Sequence, residues 1–482
     1  MGTLDYLVLF VFFAAMVLIG FIASKKVSNS KDFFVAGGKV PWWLSGVSHH
    51  VSGYSGVVFV GYALIAYKYG ITIYFWWAIP ITIACMVGAF TIAPKWVELR
   101  KKHNIQSPTE YLANRFNLPT QQVIAWSGVI LKFFDVSAKW LSMGILLNGF
   151  TGLPIYMGIV ISACVSLIYV TIGGLWADLW NDFIQFGVQL FAGIVVFVAT
   201  INYLGGIGSI FTVWAKLPPG HSHPFNGPYT VLFMVSFIFI SFMSYNGGTW
   251  NLATRFISNP SGKSARKTAL LSGTLYLIWP LFLFFPMCVS PLIFPHLADP
   301  SKVYSLLILK FMPPGFVGLV LASMFANTMS MTTSDANTIS AVITRDIMPV
   351  FSKKIKSYTG RKSLKIARIS TFTFTLITII MALNASYFGG VLGLIITWFA
   401  ALVGTTAVPM LLGLLPIFRK AGSVIAILSI FAGIFIFIMD KQFPVSAGFQ
   451  VGAPVITSLI VFVGATFIKT ALDFIKIKYS NK

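Results

Sequence analysis

The sequence predicts an all-α integral membrane protein, a single domain over residues 1–482 that crosses the bilayer about thirteen times. Three observations predict it. Hydrophobic residues make up 57% of the chain and mean hydropathy is +0.84, while charged residues reach only 10%, against about 25% in soluble domains. Apolar stretches of spanning length recur along the whole chain between short polar or Gly/Pro-rich loops. Basic residues gather in alternate loops, as they do when those loops share the cytoplasmic face.

The first apolar stretch, 4–24, has Lys25 and Lys26 after it rather than before it and no cleavage-site pattern, so it reads as a retained helix. Further stretches follow at 44–66, 71–93, 121–147, 153–172, 178–202, 229–250, 269–294, 314–343, 368–385, 391–416, 422–439 and 451–471. With the N-terminus outside, 27 of the 34 Lys and Arg fall in loops of one side. The expected placement is a multi-pass cell-membrane protein with the N-terminus outside and the C-terminus cytoplasmic. The formal charge of +22 then reflects topology and attraction to anionic lipid, and no nucleic-acid partner is expected. Cys85, Cys164 and Cys288 lie in apolar stretches and form no disulfide framework or redox motif. His221 and His223 in the outer loop lack a third ligand for a metal.

Acids inside the spans carry the functional information, because an ionised carboxylate in hydrocarbon must face a partner or a cavity. Asp135, Asp178, Asp182 and Asp335 are those acids. Asp178, Asp182, Gln185 and Gln189 recur at spacings of four, three and four, on one helical face. Asp178 follows the Gly173-Gly174 pair and reads as a first-turn acid favoured by the helix dipole; Asp182 lies a turn deeper. Asn327, Ser330, Thr333, Ser334 and Asn337 form a second polar face, with the hard oxygen donors an alkali cation prefers. Asp135 and Lys139 have the spacing of a helical ion pair; they serve structure, or else hold a polar substrate or move protons.

Two spans are interrupted by polar and small residues, at SGVSHHVSGYSG (45–56) and SYNGGTWN (244–251). Irregular backbone at membrane depth is tolerated around a cavity or an ion. The interruptions lie five spans apart, the pattern of two inverted halves meeting at a transport site. The expected organisation is an extra helix at 4–24, a first repeat at 41–202, a second at 228–416 and two C-terminal helices at 422–471.

Over about residues 4–415 the sequence resembles the sodium:solute symporters, which include sodium/glucose, sodium/proline and sialic acid carriers. The resemblance rests on DFFVAGGKVPWWLSGVS (32–48), GGLWADLWNDFIQ (173–185) and SMTTSDANTISAVITRDI (330–347). It implies a leucine-transporter-type fold with a five-plus-five inverted repeat, Na⁺ as coupling ion, and a functional monomer that is not an enzyme. For the main sodium site it implies carbonyls near Val51 and Tyr54, with Asn327, Ser330 and Met331; relatives commonly carry a hydroxyl at the last position, and Thr332 is the neighbour that offers one. For a second site it implies Asp182, Ser330, Thr333 and Ser334. Tyr245 falls at an inner-gate position and Arg255 at the basic end of that helix. The candidate substrate residues are Ser52, Tyr54, Ser55, Trp77, Asp135, Lys139, Tyr245, Asn246 and Thr249. His49 and His50, which begin the first interruption, are expected to pack helices, or else to bring proton coupling as titrating groups beside an ion site.

The expected function is Na⁺-coupled symport of a small polar organic solute by alternating access. A sugar-like solute is favoured because aromatic faces suit a sugar ring. The alternatives are an amino acid, a carboxylate, an organic cation, or coupling to protons. A channel or membrane enzyme is disfavoured, since neither a pore-loop repeat nor a nucleophile and base motif is present.

Overall fold

The structure, a computed structural model, describes residues 1–25, 29–352, 355, 360–388, 390, 391, 394, 403, 405–443 and 445–480. The described residues are helical with short connections. Helix α1 (Thr3–Ser24) is anchored at its start, where Asp5 accepts hydrogen bonds from the N–H groups of Gly2, Gly315 and Gly318 at 2.8, 2.6 and 3.0 Å. Helix α2 (Trp42–Val51) starts after Pro41, which has a fixed φ and no N–H to satisfy. It stops at Ser52, the chain unwinds, and α3 (Val58–Tyr69) continues the span.

Helices α4 (Tyr74–Thr91) and α5 (Ala93–His103) follow; α5 ends on Asn104 in the left-handed conformation. Helix α6 (Leu118–Thr151) is capped by the Asn117 side chain, which accepts from the Thr120 N–H at 2.9 Å, and closes at Gly152, φ 76°. The chain then turns by 116° into α7 (Ile155–Tyr203). The backbone of α7 is helical throughout, so the Gly173-Gly174 turn expected from the sequence is not formed. Asp178 is therefore not a first-turn acid.

The second interruption separates α8 (Val231–Gly248) from α9 (Asn251–Ile257). Gly247 has φ 118° and Trp250 φ 66°, and only glycine adopts the former without strain. Next come α10 (Gly262–Leu292), α11 (Val303–Phe311), α12 (Phe316–Phe351), α13 (Gly360–Leu383), α14 (Ala407–Leu412), α15 (Ser423–Asp440) and α16 (Ala447–Ser480). Among the described residues eight helices are long and apolar enough to cross a membrane, or up to nine if the bent pair at α6–α7 counts as one span. Of the expected span at 391–416, residues 392, 393, 395–402 and 404 lie outside the described residues.

Helix α12 is at the centre. In its apolar window 88% of residues are buried, against 28% for α15, which lies at the periphery. It packs on α1, α6, α7 and α13. Its Ser, Thr and Asn side chains need protein partners at membrane depth, and only a central helix supplies them on every side.

Candidate ion and solute site

Two buried charge clusters occupy the interior, and each draws on α12. The first is centred on α7. Asp178 and Asp182 lie one turn apart, and the guanidinium of Arg255 on α9 faces both, with Nη2 at 2.7 Å from Asp178 Oδ2 and 3.3 Å from Asp182 Oδ2. Ser48 Oγ on α2 and Ser330 Oγ on α12 donate to Asp182. Ser330 also reaches Asp178 Oδ1 at 3.1 Å, Thr333 Oγ1 donates to the same oxygen at 2.9 Å, and Ser334 Oγ donates to Asp178 Oδ2. Arg255 completes the cluster with bonds to Ser48 Oγ at 2.9 Å and Ser334 Oγ at 2.6 Å. Every member is buried.

Two carboxylates against one guanidinium leave this cluster one negative charge in excess. A monovalent cation with a preference for hard oxygen ligands balances that excess, and the hydroxyls can rotate their lone pairs toward it. The four residues grouped as a second sodium site, Asp182, Ser330, Thr333 and Ser334, thus stand together, but Thr333 and Ser334 bond Asp178 rather than Asp182. Asp178, Arg255 and Ser48 belong to the same cluster. The polar stripe on α7 already placed Asp178 beside Asp182; nothing local tied Ser48 or Arg255 to that stripe.

The residues of the expected main sodium site are less gathered. The Val51 carbonyl accepts the Tyr54 N–H at 2.8 Å, and Ser330 is committed to the two acids. Asn327 Nδ2 donates to Gln189 Oε1 at 3.2 Å, while Asn327 Oδ1 is a buried acceptor with no protein donor, a position a cation can fill. Met331 lines a cavity between the two helix interruptions instead. Thr332 bonds back to the Thr328 and Met329 carbonyls of its own helix, at 3.0 and 2.9 Å, and is not turned toward that site.

The second cluster borders a cavity of about 60 Å³ between the two helix interruptions. Ser52, Gly53, Ser55, Val57, Val58 and Tyr62 line it from the first interruption and α3, and Ser244, Tyr245, Thr249, Asn251 and Leu252 from the second and α9. Lys132, Asp135 and Lys139 of α6 close it together with Met331. Six candidate substrate residues therefore border the cavity: Ser52, Ser55, Asp135, Lys139, Tyr245 and Thr249. Tyr54, Trp77 and Asn246 do not. The Tyr54 ring stacks on Tyr276 at 5.6 Å and meets Trp77 edge-on at 5.3 Å, both fully buried. Asn246 points to the other side of its helix, where its Nδ2 donates to the Ala84 and Phe242 carbonyls.

The Asp135–Lys139 pair expected from its spacing forms at 2.9 Å, but within a larger ring. Lys132 also reaches Asp135 at 2.9 Å, and both lysines bond Asp335 of α12, Lys132 at 2.6 Å. His49 is held by Ser272 Oγ at 2.8 Å and the Tyr245 carbonyl at 3.0 Å, and His50 is enclosed by Tyr54, Tyr276 and Phe186. Neither ring borders the cavity. His221 Nε2 donates to the Tyr67 carbonyl, 2.9 Å away, and so fastens the outer loop to the end of α3.

Comparison with known proteins accords with this geometry. The sequence model of the "Sodium:solute symporter family" matches residues 33–433. A sodium/sialic acid symporter of Proteus mirabilis is 28% identical over 382 residues, covering 76% of this chain and 75% of the relative. A sodium/glucose cotransporter of Vibrio parahaemolyticus is 24% identical over 424 residues, covering 80% and 76%. A solved structure of a Na⁺-coupled sialic acid symporter, in a substrate-bound outward-open state, superimposes with a TM-score of 0.84 at 22% identity, over 97% of this chain and 98% of that one. The fold is of the leucine-transporter type. Broken helices, a buried acid pair facing one arginine and an adjoining polar cavity, together with the family match over most of the chain, place this protein in the sodium:solute symporter family, as a sodium-coupled carrier of a solute and not an enzyme.

Proposed function

We propose that the protein drives a small polar organic solute across the cell membrane by alternating access, with sodium bound at the Asp178–Asp182 cluster and the solute in the cavity beside it. One observation carries this reading. Three elements each contribute to both places within about one helical turn. Helix α2 has Ser48 in the ion cluster, and Ser52, whose N–H donates to the Ser48 carbonyl at 2.9 Å, lies at the cavity. Helix α9 has Arg255 in the cluster and Asn251 and Leu252 at the cavity. Helix α12 has Ser330 and Met331 side by side, one for each. A cation that fixes the cluster therefore also fixes three walls of the cavity, and the two ligands are energetically coupled.

The solute reading differs from a sugar-like expectation in one respect. Trp77 and Tyr54, two of the aromatic faces behind it, pack away from the cavity; Tyr62 and Tyr245 are the rings that border it. The basic loops face the cytoplasm, the N-terminus lies outside, and a monomer suffices, because cluster and cavity are built from one chain. The test is reciprocal titration in proteoliposomes. Sodium should raise the apparent affinity for the transported solute, and the solute should raise that for sodium by the same factor. Uptake driven by a pH gradient without sodium would overturn the reading.

A further inference from the structure

Resting on the symporter reading above, we infer that the solute is a small zwitterion, with an ammonium and a carboxylate separated by a single carbon as in an α-amino acid, read by the Lys132–Asp135–Lys139–Asp335 ring. The four side chains alternate in sign and are each less than a tenth exposed. The two acids are used differently. Asp335 gives one oxygen to each lysine, is fully buried and does not border the cavity. Asp135 takes both lysines on Oδ2 at 2.9 Å, which leaves Oδ1 without an ammonium on a residue that borders the cavity. Lys139 spends two of its three N–H donors on the ring. In the same wall, Ser52 Oγ and Asn251 Oδ1 are buried and bonded to no protein group.

The cavity thus shows a guest a carboxylate oxygen and an ammonium side by side. A neutral sugar has no use for such a pair, and apolar side chains would close that wall at no greater expense. A monoanion on Lys139 meets the Asp135 carboxylate beside it, and a monocation on Asp135 meets both lysines; each leaves a net charge in a low-dielectric interior. A zwitterion places its carboxylate on Lys139 and its ammonium on Asp135 Oδ1 and Asn251 Oδ1, extending the alternation without adding charge. The ion cluster agrees, since its single excess negative charge is balanced by one sodium. Size agrees too. About 60 Å³ is far below the roughly 300 Å³ or more of pockets for larger ligands.

The experiment uses the full-length protein in nanodiscs, with thermal shift and calorimetric binding in sodium and in choline. The probes are glycine, serine and proline, the N-acetyl derivative and the amide of each, glucose and sialic acid. At least one amino acid should bind in sodium, and both of its derivatives should bind roughly tenfold or more weakly, as expected for losing a charge-assisted hydrogen bond. Single variants of the ring leave an unpaired buried charge and can fail to fold, so the informative protein is Asp135→Asn/Lys139→Gln, which keeps neutrality and the Lys132–Asp335 pair. It should retain the sodium-induced shift and lose the amino acid by a similar factor. Binding of glucose or sialic acid that survives in this variant, or a sodium shift with no amino acid bound, overturns the zwitterion inference and leaves sodium coupling standing. No shift with sodium overturns the symporter reading itself.

Discussion

Arg255 Nη2 lies 2.7 Å from Asp178 Oδ2, joining the short helix after the second interruption to the acid pair of α7. The guanidinium offsets one of two carboxylates and leaves the other for the sodium ion of the proposed site. Arg255→Gln takes the cluster from one excess negative charge to two. We expect a loss of about 3–5 kcal/mol in stability without sodium, as for any broken buried pair, and a larger stabilisation by sodium than in the unaltered protein. Thermal unfolding across a sodium titration reads both, and an unchanged sodium increment would count against the charge balance.

Asp182→Asn removes the remaining negative charge while keeping shape. Sodium-stimulated uptake should vanish in proteoliposomes, although the protein elutes and unfolds as a single species. Wild-type sodium dependence would remove Asp182 from the ion site.

Gly53 sits in the first interruption, where an added Cβ would stand 1.7 Å from Tyr276 Oη and 2.9 Å from Tyr245 Oη. Tyr276 cannot yield freely, because its hydroxyl donates to the His50 carbonyl at 2.7 Å and its ring is buried. Gly53→Ala should therefore cost about 1–3 kcal/mol and abolish transport, and adding Tyr276→Phe should restore part of the stability. Full activity of the single variant would show that the interruption tolerates displacement.

Tyr245 presents its ring to the cavity and meets Tyr276 edge-on at 5.2 Å. Tyr245→Ala loses an aromatic contact worth about 1 kcal/mol, so KM for the solute should rise roughly fivefold. Steady-state uptake measures this, and an unaltered KM would place the solute elsewhere.

Asp346, at the end of α12, accepts from Ser107 Oγ and Thr109 Oγ1 at 2.6 Å each and from Gln121 Nε2 at 3.0 Å. Asp346→Asn turns one acceptor into a donor facing donors, at about 1–3 kcal/mol. Because this tie fastens α12 to the start of α6 and the loop before it, its loss should open the basic side. A cysteine introduced by Met331→Cys in a background without native cysteines should then react faster with a thiol reagent applied from that side. An equal rate would make the tie purely structural.

Much of this molecule was legible along the chain, and particular residues show where legibility ended. Gly247 and the small polar residues around Ser52 mark the two interruptions because irregular backbone at membrane depth is tolerated only around a cavity or an ion. Asp182 and Asp135 stand out because a carboxylate there needs a partner. The spacing of Asp135 and Lys139 revealed one edge of a ring, since helical neighbours follow from period alone, and the Lys132–Asp135 edge is equally local; the two remaining edges involve Asp335, which lies 203 and 196 positions from Lys132 and Lys139. The Gly173-Gly174 pair shows the reverse error, a local turn signal overridden by a helix that continues through it.

Composition, span length and loop charge by themselves determined that the chain is a helical membrane protein with many spans. Each follows from free energies summed over local segments, namely burial of apolar area and the cost of unpaired backbone in lipid. Only the tertiary structure decided which charges answer one another. It paired Arg255 with Asp178, closed the ring through Asp335 and turned Tyr54, Trp77 and Asn246 away from the cavity. Electrostatic partners are chosen by distance in space, and the choice depends on how long helices pack rather than on the order of residues along them.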